Sequence, residues 1–171
     1  YSVTLNNIVV EAADDGFADN TIELYGPISY HISGSSAWSP DGTNGIFWSK
    51  NRGGGVSCGK GKNIGINHTK YIYAPSNATV YIEVFARLWE DDGPVGIKTV
   101  ADNKMYGTGS IINLSTLNGS KQNSIYCTDN DGTNIRVYYT VRAFPVVTTE
   151  QMRSAIRGGN TATLKKLLQK G

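Results

Sequence analysis

Apolar positions fall mostly at every second residue. In 2–11, Val3 and Leu5 take odd positions while Ile8 and Val10 take even ones, so the alternation slips once and predicts a bulged strand. In 21–32, Ile22, Leu24, Ile28, Tyr30 and Ile32 all sit on even positions. In 79–89, Val80, Ile82, Val84, Ala86 and Leu88 line one face while Tyr81, Phe85 and Trp89 line the other, the mark of a central strand. Shorter candidates cover 46–49, 70–74, 109–114 and 135–143, and Gly, Asn, Asp and Pro mark the turns between them. About eight strands at this spacing predict an antiparallel β-sandwich over 1–146, a mostly β fold.

The period changes in 147–171. Two short helices are predicted, 149–157 and 160–170, with Gly158-Gly159 between them and Leu164, Leu167 and Leu168 as an apolar stripe. Thr149 is placed to cap the first, and Asn160 or Thr161 the second. Ala155, Gly159, Leu167, Leu168 and Gly171 follow the spacing of one ankyrin helix pair, which this appendage resembles, although the Thr-Pro-Leu-His opening is absent. One repeat cannot bury its own face. The resemblance therefore implies a chain that continues past Gly171, or a helix pair that packs on the sandwich or on a protein partner.

The 171 residues suffice for one domain and an appendage, and 20 glycines suit a turn-rich β chain. The net charge of +2 hides an asymmetry. Residues 149–171 hold Arg153, Arg157, Lys165, Lys166 and Lys170 against Glu150 alone, a balance of +4, so the first 148 residues sum to −2. No apolar run reaches the ~18 residues of a membrane-spanning helix. The start at Tyr1 suits a mature product that has lost its signal peptide, or an excised segment, and the expected location is secreted or cell surface. Cys58 and Cys127 allow a single disulfide or two buried thiols. Asn67, Asn77, Asn113 and Asn118 begin glycosylation-type triplets that arise easily by chance in a chain this rich in Asn, Ser and Thr.

Enzymatic chemistry finds little support. Gly54 to Lys60 has the G-x-x-x-x-G-K spacing of a phosphate loop, but Gly61 stands where magnesium needs Ser or Thr. His31 and His68 show no metal-ligand spacing, and no nucleophile elbow occurs. Lys50, Arg52, Lys60, Lys62 and Lys70 are candidates for a positive patch toward anionic lipid or glycan, and nucleic acid is not an expected partner.

The acidic residues carry more information. They bunch at Asp14, Asp15 and Asp19, at Glu90, Asp91 and Asp92, at Asp102, and at Asp129 and Asp131. Calcium takes six to eight oxygens at about 2.3–2.6 Å from carboxylates and carbonyls on adaptable loops. Two such loops at one end of a sandwich share an ion; at opposite ends they are ordinary turns, for which Asp-Asp-Gly is a common sequence.

The segment 3–13, the loop Asp14-Asp15-Gly16-Phe17-Ala18-Asp19-Asn20 and the strand that follows resemble the first metal loop of the calcium-and-lipid-binding C2 family. Val80 to Trp89, Glu90-Asp91-Asp92 and Asp102 to Ile111 resemble the other. Asn20 stands where the family has proline. The resemblance implies Ca²⁺ bound by Asp14, Asp15, Asp19, Asp91, Asp92 and Asp102, in a non-catalytic module that binds membrane head groups or a receptor. Similar acidic-loop sandwiches serve as accessory modules of bacterial toxins and adhesins. Two alternatives stand beside it: a structural subunit of an extracellular fibre or assembly, and a carbohydrate-binding module using some of the ten tyrosines and three tryptophans.

Overall fold

The computed structural model describes residues 1–13, 21–34, 37, 39–74, 78–91, 103–144, 149–159 and 161–163. Ten strands follow in order: β1 (Ser2–Ala12), β2 (Thr21–Gly34), β3 (Asn44–Lys50), β4 (Val56–Gly59), β5 (Asn63–Tyr71), β6 (Val80–Glu90), β7 (Asn103–Thr108), β8 (Ile112–Asn113), β9 (Ser120–Thr128) and β10 (Asn134–Arg142). All the pairings are antiparallel, and the order across the sheet is β3-β2-β6-β7-β9-β10-β1-β5. β4 continues the β3 edge along Thr21–Leu24 of β2, and β8 pairs with the start of β6.

The sheet folds over into two layers. Between β7 and β9 the bridge is a single residue pair, Tyr106 with Thr128, so β3-β2-β6-β7 and β9-β10-β1-β5 meet there as at a crease. At the other margin β3 and β5 approach each other: His68 Nδ1 donates to the Phe47 carbonyl at 2.6 Å, and the two rings pack edge to face. The two margins of the order thus lie against each other, with no backbone ladder between them among the described residues.

The alternation read from the sequence becomes the core. Ile22, Leu24, Ile28, Tyr30 and Ile32 of β2, Val80 to Leu88 of β6 on even positions, and Ile135, Val137, Tyr139 and Val141 of β10 are all buried. The slip in β1 is a bulge at Asn6, where Leu5 faces Tyr139 and Asn7 faces Tyr138. It keeps Leu5 and Ile8 both inside. The displaced Asn6 amide donates to Thr140 Oγ1 at 2.8 Å. On the other side β5 absorbs the mismatch with Asn67 in the left-handed region, φ 52°, a conformation asparagine tolerates. β7 and β9 pack tightly at Gly107, where a Cβ would lie 2.5 Å from Ile125 Cγ2 and 2.6 Å from both Cys127 Sγ and the Tyr126 carbonyl oxygen.

Strands β4, β7 and β9 lie outside the expected set, and β5 meets the strand expected over 70–74 only at Lys70 and Tyr71. The strand expected over 109–114 is only the two residues of β8, because Leu114–Thr116 turn into a 3₁₀ helix whose cap Asn113 accepts from Ser115 N. The phosphate-loop-like stretch is strand β4, a turn with Gly61 at φ 81°, and strand β5, not a loop opening a helix. Cys58 and Cys127 are free buried thiols, one in each layer. The helix α1 (Thr149–Arg157) carries Glu150 in its first turn and Arg157 in its last, in the sense that suits the helix dipole. It closes through Gly158 and Gly159, the latter at φ 59°, and Thr161–Thr163 are helical again. Leu164, Leu167, Leu168 and Gly171 lie outside the described residues. No helix among the described residues is long and apolar enough to cross a membrane.

Candidate functional site

One end of the sandwich gathers the charged loops. β6 ends there, and its last residues pair with the first half of β2: Leu24 with Glu90 and Tyr25 with Trp89. The backbone contact continues one step further, where Asp91 N donates to the Glu23 carbonyl at 3.1 Å. β7 begins beside the same place, with Asn103 opposite Glu90. The stems of the two acidic segments, Thr21–Leu24 and Glu90–Asp91 with Asn103, are therefore direct neighbours.

Glu90 and Asp91 are both buried, 1% and 9% exposed. A buried carboxylate needs a cation or donors to offset lost hydration. For Asp91 the cation is Arg52, in the turn between β3 and β4, whose Nη2 lies 3.0 Å from Oδ1. That turn borders β2 because β3 and β4 run along the same side of it.

The turn between β9 and β10 adds a second carboxylate group. Asp129 Oδ1 accepts the backbone N–H groups of Asp131, Gly132 and Thr133 at 3.0, 2.9 and 2.9 Å. Gly132 at φ 101° allows the chain to curl around it. Asp131 Oδ2 accepts from Asn103 Nδ2 at 2.5 Å, which ties this turn to the start of β7 and so to Glu90. Two more side chains complete this end. Glu11 receives Arg136 at 2.6 and 3.3 Å, and the turn Lys60 to Lys62 is fastened to β1 through Gly61 N and the Val10 carbonyl.

Of the six carboxylates assigned to calcium from the sequence, Asp91 is placed at this end and engaged by Arg52. Asp14, Asp15, Asp19, Asp92 and Asp102 lie outside the described residues, on segments that leave from and return to it. Among the described residues no group of three or more His, Cys, Asp and Glu is arranged to hold a metal ion. Sequence reasoning missed Arg52 as the partner of Asp91, and Asn103 as the clasp on Asp131. Arg52 carried no signal beyond membership of a basic, glycine-rich stretch.

The expected positive patch is partly spent within the chain: Arg52 goes to Asp91, and Lys70 Nζ lies 2.9 Å from Asp41. The thiols are poor nucleophiles. Burial pushes Cys58 up to about 11, against a partial lowering by Lys62, and Cys127 up to about 12. The buried Tyr139 hydroxyl is likewise pushed up to about 12 by burial first and by the Glu83 charge second.

No family model matches the chain, and no curated protein sequence matches it.

Proposed function

We propose that the chain is a non-catalytic binding module of a secreted or surface protein, C2-like in its use of loops, whose acidic end takes Ca²⁺. The ion then bridges to an anionic head group, or stiffens the end against a protein receptor. One observation carries the reading: the hydrogen bond from Asp91 N to the Glu23 carbonyl, which sets the stems of the two acidic segments side by side.

The ligands in this proposal are Asp14, Asp15, Asp19, Asp92 and Asp102, with backbone carbonyls completing a shell of six to eight oxygens. Asp91 joins them only if Arg52 releases it, because an oxygen engaged by a guanidinium at 3.0 Å is a poor metal ligand. Arg52 thus supplies positive charge beside the proposed ligands. Asp129 and Asp131 contribute negative field, their carboxylates being committed to backbone N–H groups and to Asn103.

Calorimetric titration with Ca²⁺, read beside the melting temperature, tests it. Extracellular calcium modules bind at about 10⁻⁴–10⁻³ M. Tenfold excess over Kd stabilises the fold by about 1.4 kcal/mol. For a chain of this size that is a rise of about 3–6 °C. Heat of binding with such a rise supports the module; neither heat nor rise at millimolar Ca²⁺ removes the metal from it.

A further inference from the structure

We propose that the outer face of the β3-β2-β6-β7 layer carries a second site, a cleft that binds a neutral saccharide, independent of the loop end. In an antiparallel ladder opposite residues point to the same side. Tyr30, Val84, Ala86, Leu88 and Met105 point inward and are buried, so their neighbours form rows on the outside. One row reads Asn44, His31, Glu83 across β3, β2 and β6. The next reads Ser29, Phe85, Thr108, and the one after pairs Arg87 with Tyr106. Over these rows opens a cavity of about 440 Å³, within the ~300–1,000 Å³ of small-ligand sites.

Its floor is aromatic and fixed. Tyr106 is 49% exposed yet held edge-on against Trp89 at 5.4 Å, and Trp89 in turn stacks on Tyr25 at 5.7 Å. Phe85 lies half-buried beside it, with the Arg87 guanidinium 5.5 Å above its ring. A ring that is immobilised and still open to solvent gives contact area without losing rotamer freedom on binding.

The walls are polar and mixed. His31 Nδ1 and Asn44 Oδ1 are 2.7 Å apart, which leaves the other imidazole nitrogen and the amide NH₂ for a ligand. Glu83 and Arg87 flank Phe85 at either side on the same strand face, and neither forms a salt bridge among the described residues. Carboxylate, guanidinium and amide are planar groups that meet two adjacent hydroxyls at once. One acid against one guanidinium leaves no strong net field, which disfavours phosphate and other anions. Aromatic floor, planar hydrogen-bonding walls and near-neutral charge together match the alternating C–H faces and hydroxyl edges of a pyranose ring.

The isotope-labelled full chain, titrated by NMR in chelator with the methyl glycosides of glucose, galactose, mannose and N-acetylglucosamine, tests the site without calcium. Inorganic phosphate serves as a control. Saturable shifts of His31, Phe85, Tyr106 and Thr108 with at least one glycoside are expected. Tyr106→Ala should weaken that binding at least tenfold, and Glu83→Gln should weaken it with an unchanged melting temperature. No saturable shift with any glycoside, shifts centred elsewhere, or saturation by phosphate alone would overturn the proposal. Because chelator is present, its failure leaves the calcium reading untouched, and the converse holds.

Discussion

Removing Arg52 takes away the guanidinium that faces a buried carboxylate. The Asp91 side chain is 2% exposed while that of Arg52 is 44% exposed, so water reaches the guanidinium but not the carboxylate. A solvent-exposed pair contributes about 0.2–1 kcal/mol, and breaking a fully buried one costs about 3–5 kcal/mol. A half-wetted pair falls between, so Arg52→Ala should cost about 2 kcal/mol. At this chain length that lowers Tm by about 4–8 °C. Asp91→Asn keeps the side-chain shape and leaves Arg52 free to hydrate, so it should cost about 1 kcal/mol. The double variant should be more stable than the two losses summed, by a coupling of about 1–2 kcal/mol. Urea unfolding followed by circular dichroism measures all four chains. Additive losses, or an Arg52→Ala protein within about 0.5 kcal/mol of the parent, would refute the pairing as an energetic link. The calcium reading adds a signature: the variant frees Asp91 as a ligand, so Ca²⁺ should restore more of its melting temperature than it adds to the parent.

Three further outcomes follow from the geometry. Gly107→Ala forces a Cβ to within 2.6 Å of the Tyr126 carbonyl oxygen and should cost about 1–3 kcal/mol by thermal melting, whereas a neutral result would mean the layers are not in contact there. Asp129→Ala removes the charged acceptor of three turn N–H groups, one of them on buried Thr133, and should cost about 1–3 kcal/mol, with Asp129→Asn, which keeps an acceptor, costing less; equal losses would show that charge rather than turn bonding matters. Burial raises both thiols from 9.0 to about 11 and about 12, so the folded chain keeps protons that the unfolded chain has lost. Their contribution is complete below pH 9.0 and falls as pH rises toward about 12, and Cys127→Ala should flatten that decline in pH-dependent urea unfolding, an unchanged slope contradicting it.

The strands that were legible bury one clean face. β2, β6 and β10 place apolar residues on every inward position but Gly26 and Glu90, and the parity change between Leu5 and Ile8 marked the bulge at Asn6. β9 was missed because it opens Ser120-Lys121-Gln122-Asn123 and buries only Ile125 and Cys127, too few to set a period. β5, at the margin of the order, carries Asn67, His68 and Thr69 where an alternating strand would need apolar residues. At the candidate site, strand order showed which acidic segments flank which strands. It did not show that Arg52 reaches Asp91, because that contact depends on where the β3–β4 turn lies after β3 and β4 have both paired with β2. The second face of β6 was legible as a row of Tyr81, Phe85 and Trp89. Its cleft was not, since His31 and Asn44 enter it from β2 and β3, far away in sequence.

Paramagnetic relaxation locates the ion rather than merely detecting it. Mn²⁺ added to the labelled chain and displaced by Ca²⁺ should broaden the amides of Thr21, Glu23, Asp91 and Asn103 first. It should spare Gly34 and Val80, which pair at the far end of β2 and β6. Broadening with that gradient, reversed by Ca²⁺, is the result predicted for one ion shared by two acidic segments. Uniform broadening, a centre elsewhere on the sandwich, or none at all would contradict it.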